Sequence, residues 1–275
     1  MAMAAEGFTL EKFARHPFYM DVNRRLVKLA ELRKGTQVVD LGAGTGAVTR
    51  LLAEAISNGA GAEVIAVEPE QSAIEVARRN LENIRGAVVR FVQGGAERLS
   101  TLVKRQVDAV FFCNAIHLVP EKEQVVREIN LTLRTDGKFS FNTTFYEGGE
   151  PTESELFYRR WMMKALRTLK KEYGLTPDLS AARTMARDRL SEEQYIKLLE
   201  DNGFRITRRE VMKAEMDLES FEDISEYALW IEGILPGVPL EAGSHALKQG
   251  VREVFHDLGF SSSQRNWLLV VASKE

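Results

Sequence analysis

Asp40, Gly42, Gly44, Gly46 and Glu68 are the residues whose types and spacing point first to a ligand. Val38-Val39-Asp40-Leu41 reads as a short apolar strand ending in an acid. Gly42-Ala43-Gly44-Thr45-Gly46 then places a glycine at every second position, and a helical pattern begins at Ala47. A strand that feeds a glycine turn and then a helix makes a ligand site. The missing side chains let a ligand touch the backbone, and the first helical turn offers free N–H groups. Taken alone the turn is ambiguous. Gly42-x-Gly44-x-x-Ala47 fits a dinucleotide fingerprint, with Glu68 standing where a ribose-binding acid would be. Two features point elsewhere. Asp40, two residues before Gly42, would repel a pyrophosphate but can hold an ammonium group, directly or through water. The third glycine is Gly46 rather than the position of Ala47. A ligand with a ribose and an amino-acid end, but no phosphate, suits this arrangement better.

The elements that position these residues alternate between strand and helix patterns. Strands are expected over Thr36–Leu41, Glu63–Val67, Ala87–Val92, Val107–Cys113 and Lys138–Phe145, the last entered through Asp136-Gly137. Helices are expected over Ala47–Ile56, Gln71–Asn83 and Gln124–Leu133. Such alternation implies an α/β fold with a doubly wound, mostly parallel sheet and right-handed crossovers. Ligands then sit beyond the C-terminal strand ends, which here carry Asp40, Glu68, Gly94-Gly95, Asn114 and Thr143-Thr144.

Other segments depart from the alternation. Before the first strand, an arm over 1–34 ends in a helical stripe of Leu26, Val27, Leu29, Ala30 and Leu32. Pro17 and the aromatics Phe13, Phe18 and Tyr19 precede it. Gly148–Arg189 is helix-rich and basic, with Phe157, Trp161, Met162, Ala165, Leu166 and Leu169 at helical spacing. Ser191 is an N-cap candidate for a helix that stops at Gly203, and a strand is expected over Phe204–Met212. A second helical insert spans Leu218–Leu235, with Phe221, Tyr227, Trp230 and Ile231 on its apolar face. A helix over Leu240–Leu258 and a closing strand over Asn266–Ala272 complete the chain.

Composition narrows the classes. The 275 residues carry 37 basic and 40 acidic side chains, a net charge of −3 that does not suggest a dedicated nucleic-acid binder. Cys113 is the only cysteine, so no intrachain disulfide or multi-cysteine metal site is expected. His16, His117, His245 and His256 show no metal-ligand spacing. No apolar run approaches the ~20 residues of a membrane span, and Met1–Gly7 has none of the features of a secretory signal. A soluble cytoplasmic protein is the expectation.

Four ordered motifs resemble those of class I S-adenosylmethionine-dependent methyltransferases. Asp40-Leu41-Gly42-Ala43-Gly44-Thr45-Gly46 is similar to their first motif. Ala66-Val67-Glu68-Pro69 is similar to the second, where the acid accepts hydrogen bonds from both ribose hydroxyls. Gln93-Gly94-Gly95-Ala96-Glu97 resembles the segment lining adenine, and Phe112-Cys113-Asn114-Ala115-Ile116-His117 the segment after strand four, whose backbone faces the methionine end. The resemblance covers about Leu32–Phe145 and the last strands. It implies S-adenosylmethionine as cofactor and seven strands, the seventh antiparallel beside the fifth. Cofactor-binding residues would be Asp40, Gly42, Gly44, Gly46, Glu68, Pro69, Gly95, Ala96, Glu97 and Asn114. The chain departs from the pattern at Gly95, where many relatives carry an acid that bonds the adenine amino group. Glu97 or the Ala96 backbone is the expected substitute.

Methyl transfer needs alignment of a nucleophile and exclusion of water, with a base only where the nucleophile must lose a proton. His117 is the first candidate base, with Tyr19 beside it and Glu147 as a further candidate. Tyr146, Trp161 and Trp230 are candidate acceptor contacts. The expected domain organisation is one methyltransferase domain, with a core over 35–146 and 191–275 and helical lid inserts near 147–190 and 218–240. The aromatic and methionine content of the inserts suggests a small or medium, largely apolar organic acceptor. Transfer to O, N or C is left open, as is a monomer or homodimer. The basic first insert leaves room for an acidic carrier protein or a phosphate-bearing substrate. The alternatives are an RNA-modifying methyltransferase, a non-catalytic module that binds the cofactor, and a nicotinamide-dependent enzyme.

Overall fold

Val64-Ile65-Ala66-Val67 and Val110-Phe111-Phe112-Cys113 are buried throughout, as parallel strands covered on both faces require. In the computed structural model, which describes residues 7–178 and 189–275, these runs are inner strands of a seven-stranded sheet ordered β3-β2-β1-β4-β5-β7-β6. The strands are β1 Gln37–Leu41, β2 Glu63–Glu68, β3 Val88–Gln93, β4 Val107–Cys113, β5 Leu133–Thr143, β6 Phe204–Asp217 and β7 Ser262–Lys274. The pairs β1–β2, β1–β4, β2–β3 and β4–β5 are parallel. β5 pairs antiparallel with β7, from Lys138 opposite Ser273 to Thr143 opposite Leu268. The expected fold class and the place of the antiparallel strand are therefore both found.

The helices are α1 Pro17–Leu29, α2 Ala47–Ile56, α3 Gln71–Asn80, α4 Leu99–Leu102, α5 Lys122–Thr132, α6 Glu155–Thr168, α7 Glu192–Glu200, α8 Leu218–Ile224, α9 Ala228–Ile234 and α10 Leu240–Leu258. Pro17 begins α1, the position where a missing N–H is harmless. Ser191 caps α7 in a reciprocal capping box with Gln194. Several boundaries differ from expectation. β5 begins at Leu133, and Asp136-Gly137 lies inside it as a bulge: the register with β4 shifts there, and Asp136 takes φ 61. The helix expected over Leu218–Leu235 is two helices. Ser225 donates its hydroxyl to the Phe221 carbonyl at 2.7 Å, and Tyr227 is extended. Such side-chain bonding competes with the next helical turn. β6 and β7 are also longer than their apolar runs. Residues 179–188 of the first insert, with Arg183 and Arg187, and residues 1–6 lie outside the described residues.

The chain divides into two compact units. The sheet unit comprises Met20–Tyr146, Leu190–Met212 and Trp267–Glu275. Its core joins Val39, Ile65, Val110, Phe139, Phe141, Tyr195 and Val270. The helical unit is built from the described residues of Met1–Tyr19, Glu147–Arg189 and Lys213–Asn266. Its interior holds Phe157, Trp161, Phe221 and Phe255, with ring centroids 4.9–6.1 Å apart where Phe157 meets the other three. α6 and α10 approach closely at Gly250, where a Cβ would lie 2.8 Å from the Ala165 nitrogen.

Candidate cofactor and active site

The glycine turn is tied to the sheet by its own backbone. The N–H groups of Gly42 and Ala43 both donate to the Val67 carbonyl, at 2.8 and 3.1 Å. Gly42, Gly44 and Gly46 all have positive φ, at 69°, 53° and 90°, conformations that L side chains rarely adopt. Their surroundings differ. A Cβ at Gly46 would lie 2.8 Å from Leu81 Cδ1, so this glycine lets α2 sit against α3. A Cβ at Gly42 would touch Ala115 and Phe112 at 3.4 Å. A Cβ at Gly44 would meet nothing within 4 Å, so the middle glycine faces open space that a ligand can enter.

Two carboxylates stand at the strand ends. Glu68, 8% exposed, closes β2 and accepts the Gly44 N–H at 2.9 Å and the Glu70 N–H at 3.2 Å. Burial raises its pKa, and these two N–H donors oppose the rise. Glu68 therefore fixes the turn that opens toward the ligand space. Asp40, 1% exposed, accepts the Thr49 hydroxyl of α2 at 2.6 Å. Burial pushes its carboxyl up to about 7, with Thr49 opposing and the charge of Glu68 adding to it. The ionised form of such a buried acid is the one a neighbouring cation would stabilise.

Gly94 and Gly95, after β3, each lie where a side chain would collide. Gly94 donates to the Glu68 carbonyl at 3.1 Å, and a Cβ on it would strike Leu102 at 2.4 Å. Over Gly95, a Cβ would lie 2.2 Å from the Glu97 carboxylate. Glu97, on the 3-10 turn Ala96–Arg98, thus brings its carboxylate to the place from which an acid at position 95 would start. Ala96 is buried beside it and Pro69 is exposed.

After β4, Asn114 takes φ 52. Its N–H donates to the Asn142 carbonyl and side-chain oxygen, at 3.0 and 2.9 Å. Trp267 Nε1 donates to Asn114 Oδ1 at 2.9 Å, and Asn114 Nδ2 donates to Asn23 Oδ1 at 3.3 Å. Asn142 Nδ2 also reaches Asn23 Oδ1, at 2.9 Å. Sequence reasoning missed Asn23, Asn142 and Trp267. Asn23 and Asn142 are both 0% exposed, and a polar residue in an apolar helix stripe, as at Asn23, was the available signal. His117, 7% exposed, lies in the 3-10 turn Ile116–Leu118. Its Nδ1 is 3.1 Å from Thr143 Oγ1, and Phe145 stacks on the ring at 4.1 Å. Cys113 is buried, and burial raises its thiol pKa, which leaves it no nucleophilic part.

The remaining candidates are placed as follows. Tyr146 is buried in the core of the sheet unit. Tyr19 belongs to the helical unit, edge-on to Phe13 at 5.7 Å. Trp161, 1% exposed, donates Nε1 to the Leu247 carbonyl at 2.8 Å and stacks on Trp230 at 6.0 Å. Among the basic residues of the first insert, Lys164 faces Glu253 and Asp257 at 2.9 and 2.8 Å, and Arg189 faces Glu150 at 2.9 Å. Among the described residues there is no group of His, Cys, Asp and Glu that could hold a metal ion. None of their helices is long and apolar enough to cross a membrane.

Comparison with known proteins bears on the family and the fold. Residues 32–226 match the family model described as a methyltransferase domain. An uncharacterized methyltransferase of Oceanobacillus iheyensis is 28% identical over 151 residues, 53% of this chain, which spans 66% of that relative's length. A solved structure of a putative methyltransferase from Bacillus halodurans superposes with a TM-score of 0.59 at 18% identity, over 92% of this chain and 99% of that one. The cyclopropane synthase MmaA2 from Mycobacterium tuberculosis gives 0.58 at 14% identity, over 100% and 90%. At these identities the two structures speak for the fold alone. With the ordered motifs, the sheet order and the family match together, this chain belongs to the methyltransferase domain family, as a class I S-adenosylmethionine-dependent member.

Proposed function

We propose that this protein transfers a methyl group from S-adenosylmethionine to a small or medium, largely apolar organic acceptor. The observation that supports the donor is the pairing of Glu68 with the Gly44 N–H at 2.9 Å beside open space at Gly44. In this reading Glu68 accepts the ribose hydroxyls, Asp40 holds the ammonium end and Glu97 takes the adenine amino group. The backbone of Asn114 faces the methionine end. When bound, the cofactor supplies an electrophilic methyl group on a sulfonium sulfur. The chain's own tasks are to hold the acceptor in line with that methyl and to exclude water.

The aromatic interior of the helical unit, with Trp230 at 7% exposure backed by Trp161, is what supports an apolar acceptor. Tyr146 and His117 are the acceptor-side groups of the sheet unit. The test is release of S-adenosylhomocysteine by the full chain with a panel of carboxylates, phenols, amines and bulk tRNA, together with calorimetry against S-adenosylhomocysteine and NAD. Tight binding of S-adenosylhomocysteine and turnover on an organic acceptor are expected. Turnover on tRNA alone would overturn the acceptor reading, and binding of NAD instead would overturn the donor reading.

A further inference from the structure

α6 has two unlike faces. Phe157, Trp161, Ala165 and Leu169 follow at steps of four and are all buried in the helical unit. The opposite face is exposed yet only partly polar. Leu156, Met163 and Leu166 are 41%, 54% and 39% exposed. The helix closes in a π turn over Leu169–Tyr173, and Tyr173 there is 43% exposed. Arg159 and Lys170, also exposed, complete a line at positions 156, 159, 163, 166, 170 and 173. Steps of three and four keep such residues on one side of a helix. The line runs about 26 Å.

The charge beside this line is positive and unanswered. Lys164, off the line, faces Glu253 and Asp257 at 2.9 and 2.8 Å. Arg159, Arg167, Lys170 and Lys171 are exposed and have no ion pair among the described residues. Glu155 and Glu172 are the only acids between positions 155 and 173, and Glu172 is 3.1 Å from His245. A second copy of the chain would bring the same cations against these. An acidic helix of a partner protein would have to bury Lys170 within the apolar line, and the cores of protein interfaces are poor in lysine. An anionic lipid surface asks for neither. The stems of Arg159 and Lys170 can lie with their apolar neighbours while the charged heads reach lipid phosphates.

We propose that the outer face of α6 docks on an anionic lipid surface. Leu156, Met163, Leu166 and Tyr173 enter the boundary between headgroups and acyl chains, and Arg159, Arg167, Lys170 and Lys171 pair with lipid phosphates. The net charge of −3 gives the chain as a whole no attraction to such a surface, so the binding is local to this helix. The proposal goes beyond the methyl-transfer reading and does not depend on it.

Sedimentation of the full chain with vesicles tests it. One set of vesicles is phosphatidylcholine alone, the other equal parts of phosphatidylcholine and phosphatidylserine. Binding to the second set and not the first is expected, weakening as salt rises. No binding to either, or equal binding to both, overturns the proposal. Lys170→Gln with Lys171→Gln should weaken binding about 25-fold, at about fivefold for each cation lost, and flatten its salt dependence. Met163→Gln with Leu166→Gln should weaken binding about tenfold and leave the salt dependence as it was. All four side chains are exposed, so thermal denaturation should show both variants folded. Loss in the lysine pair with none in the apolar pair would mean that charge alone is read, as by an acidic protein, and overturns the lipid assignment. Lys104→Gln removes an exposed cation of the sheet unit and should change nothing; a fivefold loss there, about that of one α6 cation, overturns the assignment to α6. Absence of vesicle binding together with a dimer in sedimentation equilibrium that Met163→Gln abolishes would give the face to a second copy instead.

Discussion

Asp40→Asn should stabilise the cofactor-free protein at alkaline pH while weakening the cofactor. Burial lifts the Asp40 carboxyl from 3.8 to about 7. Between those values the native state holds a proton that the unfolded chain has released. Stability therefore falls as pH rises through that window. The penalty is absent below the lower value and complete above the upper one. A gap of about three pH units at ~1.36 kcal/mol each makes it about 4 kcal/mol. The carboxamide of the variant cannot ionise, so its advantage over wild type should grow by about this amount between pH 4 and pH 8. It also lacks the charge that faces the ammonium group, and losing a hydrogen bond to a charged partner costs about 1.5–3 kcal/mol. Urea denaturation of both proteins at several pH values, without cofactor, measures the first effect. Calorimetry with S-adenosylhomocysteine measures the second, and wild-type affinity should rise through pH 7 while that of the variant stays flat. A stability difference that is constant from pH 4 to pH 8 would refute the buried-acid argument. Undiminished affinity in the variant would refute the ammonium assignment.

Four further outcomes are expected. Glu68→Ala removes the acceptor of the Gly44 N–H and of the ribose hydroxyls, and should weaken S-adenosylhomocysteine binding by roughly 1–3 kcal/mol in calorimetry; unchanged affinity would sink the site. Gly46→Ala drives a Cβ to 2.8 Å from Leu81 and should lower stability by about 1–3 kcal/mol. Gly44→Ala, with open space around it, should cost about 1–2 kcal/mol of backbone strain and lose more affinity than Gly46→Ala; the reverse order of affinities would count against ligand entry at Gly44. Ser191→Ala breaks the capping box and should lower the stability of the sheet unit by about 1 kcal/mol in thermal denaturation, with S-adenosylhomocysteine affinity unchanged.

The sheet and the cofactor turn were legible because their signals are local. α2, β4 and α10 match the bounds read from periodicity. Glu68 was visible as the acid closing an apolar strand. What was illegible depends on partners far along the chain. Asn142 meets Asn23 across 119 residues, and Trp267 meets Asn114 across 153. Nothing near Trp267 in the sequence distinguishes it from any core tryptophan. The bulge at Asp136 was misread as a strand entrance because Asp-Gly is also a turn signal. The break between α8 and α9 was hidden by an apolar pattern that continues across Ser225.

The place of β7 between β5 and β6 bears on how the protein is made. It is the last of the seven strands to leave the ribosome, yet it occupies an interior position in the sheet. Until it arrives, β5 offers the open edge along Phe139 and Phe141, and β6 has no neighbour on that side. An unpaired apolar edge is a site for pairing with another chain. The nascent protein is therefore most vulnerable to aggregation just before synthesis of Trp267–Ala272. Stop codons upstream of that segment should yield insoluble product even though every residue of the cofactor turn is already present.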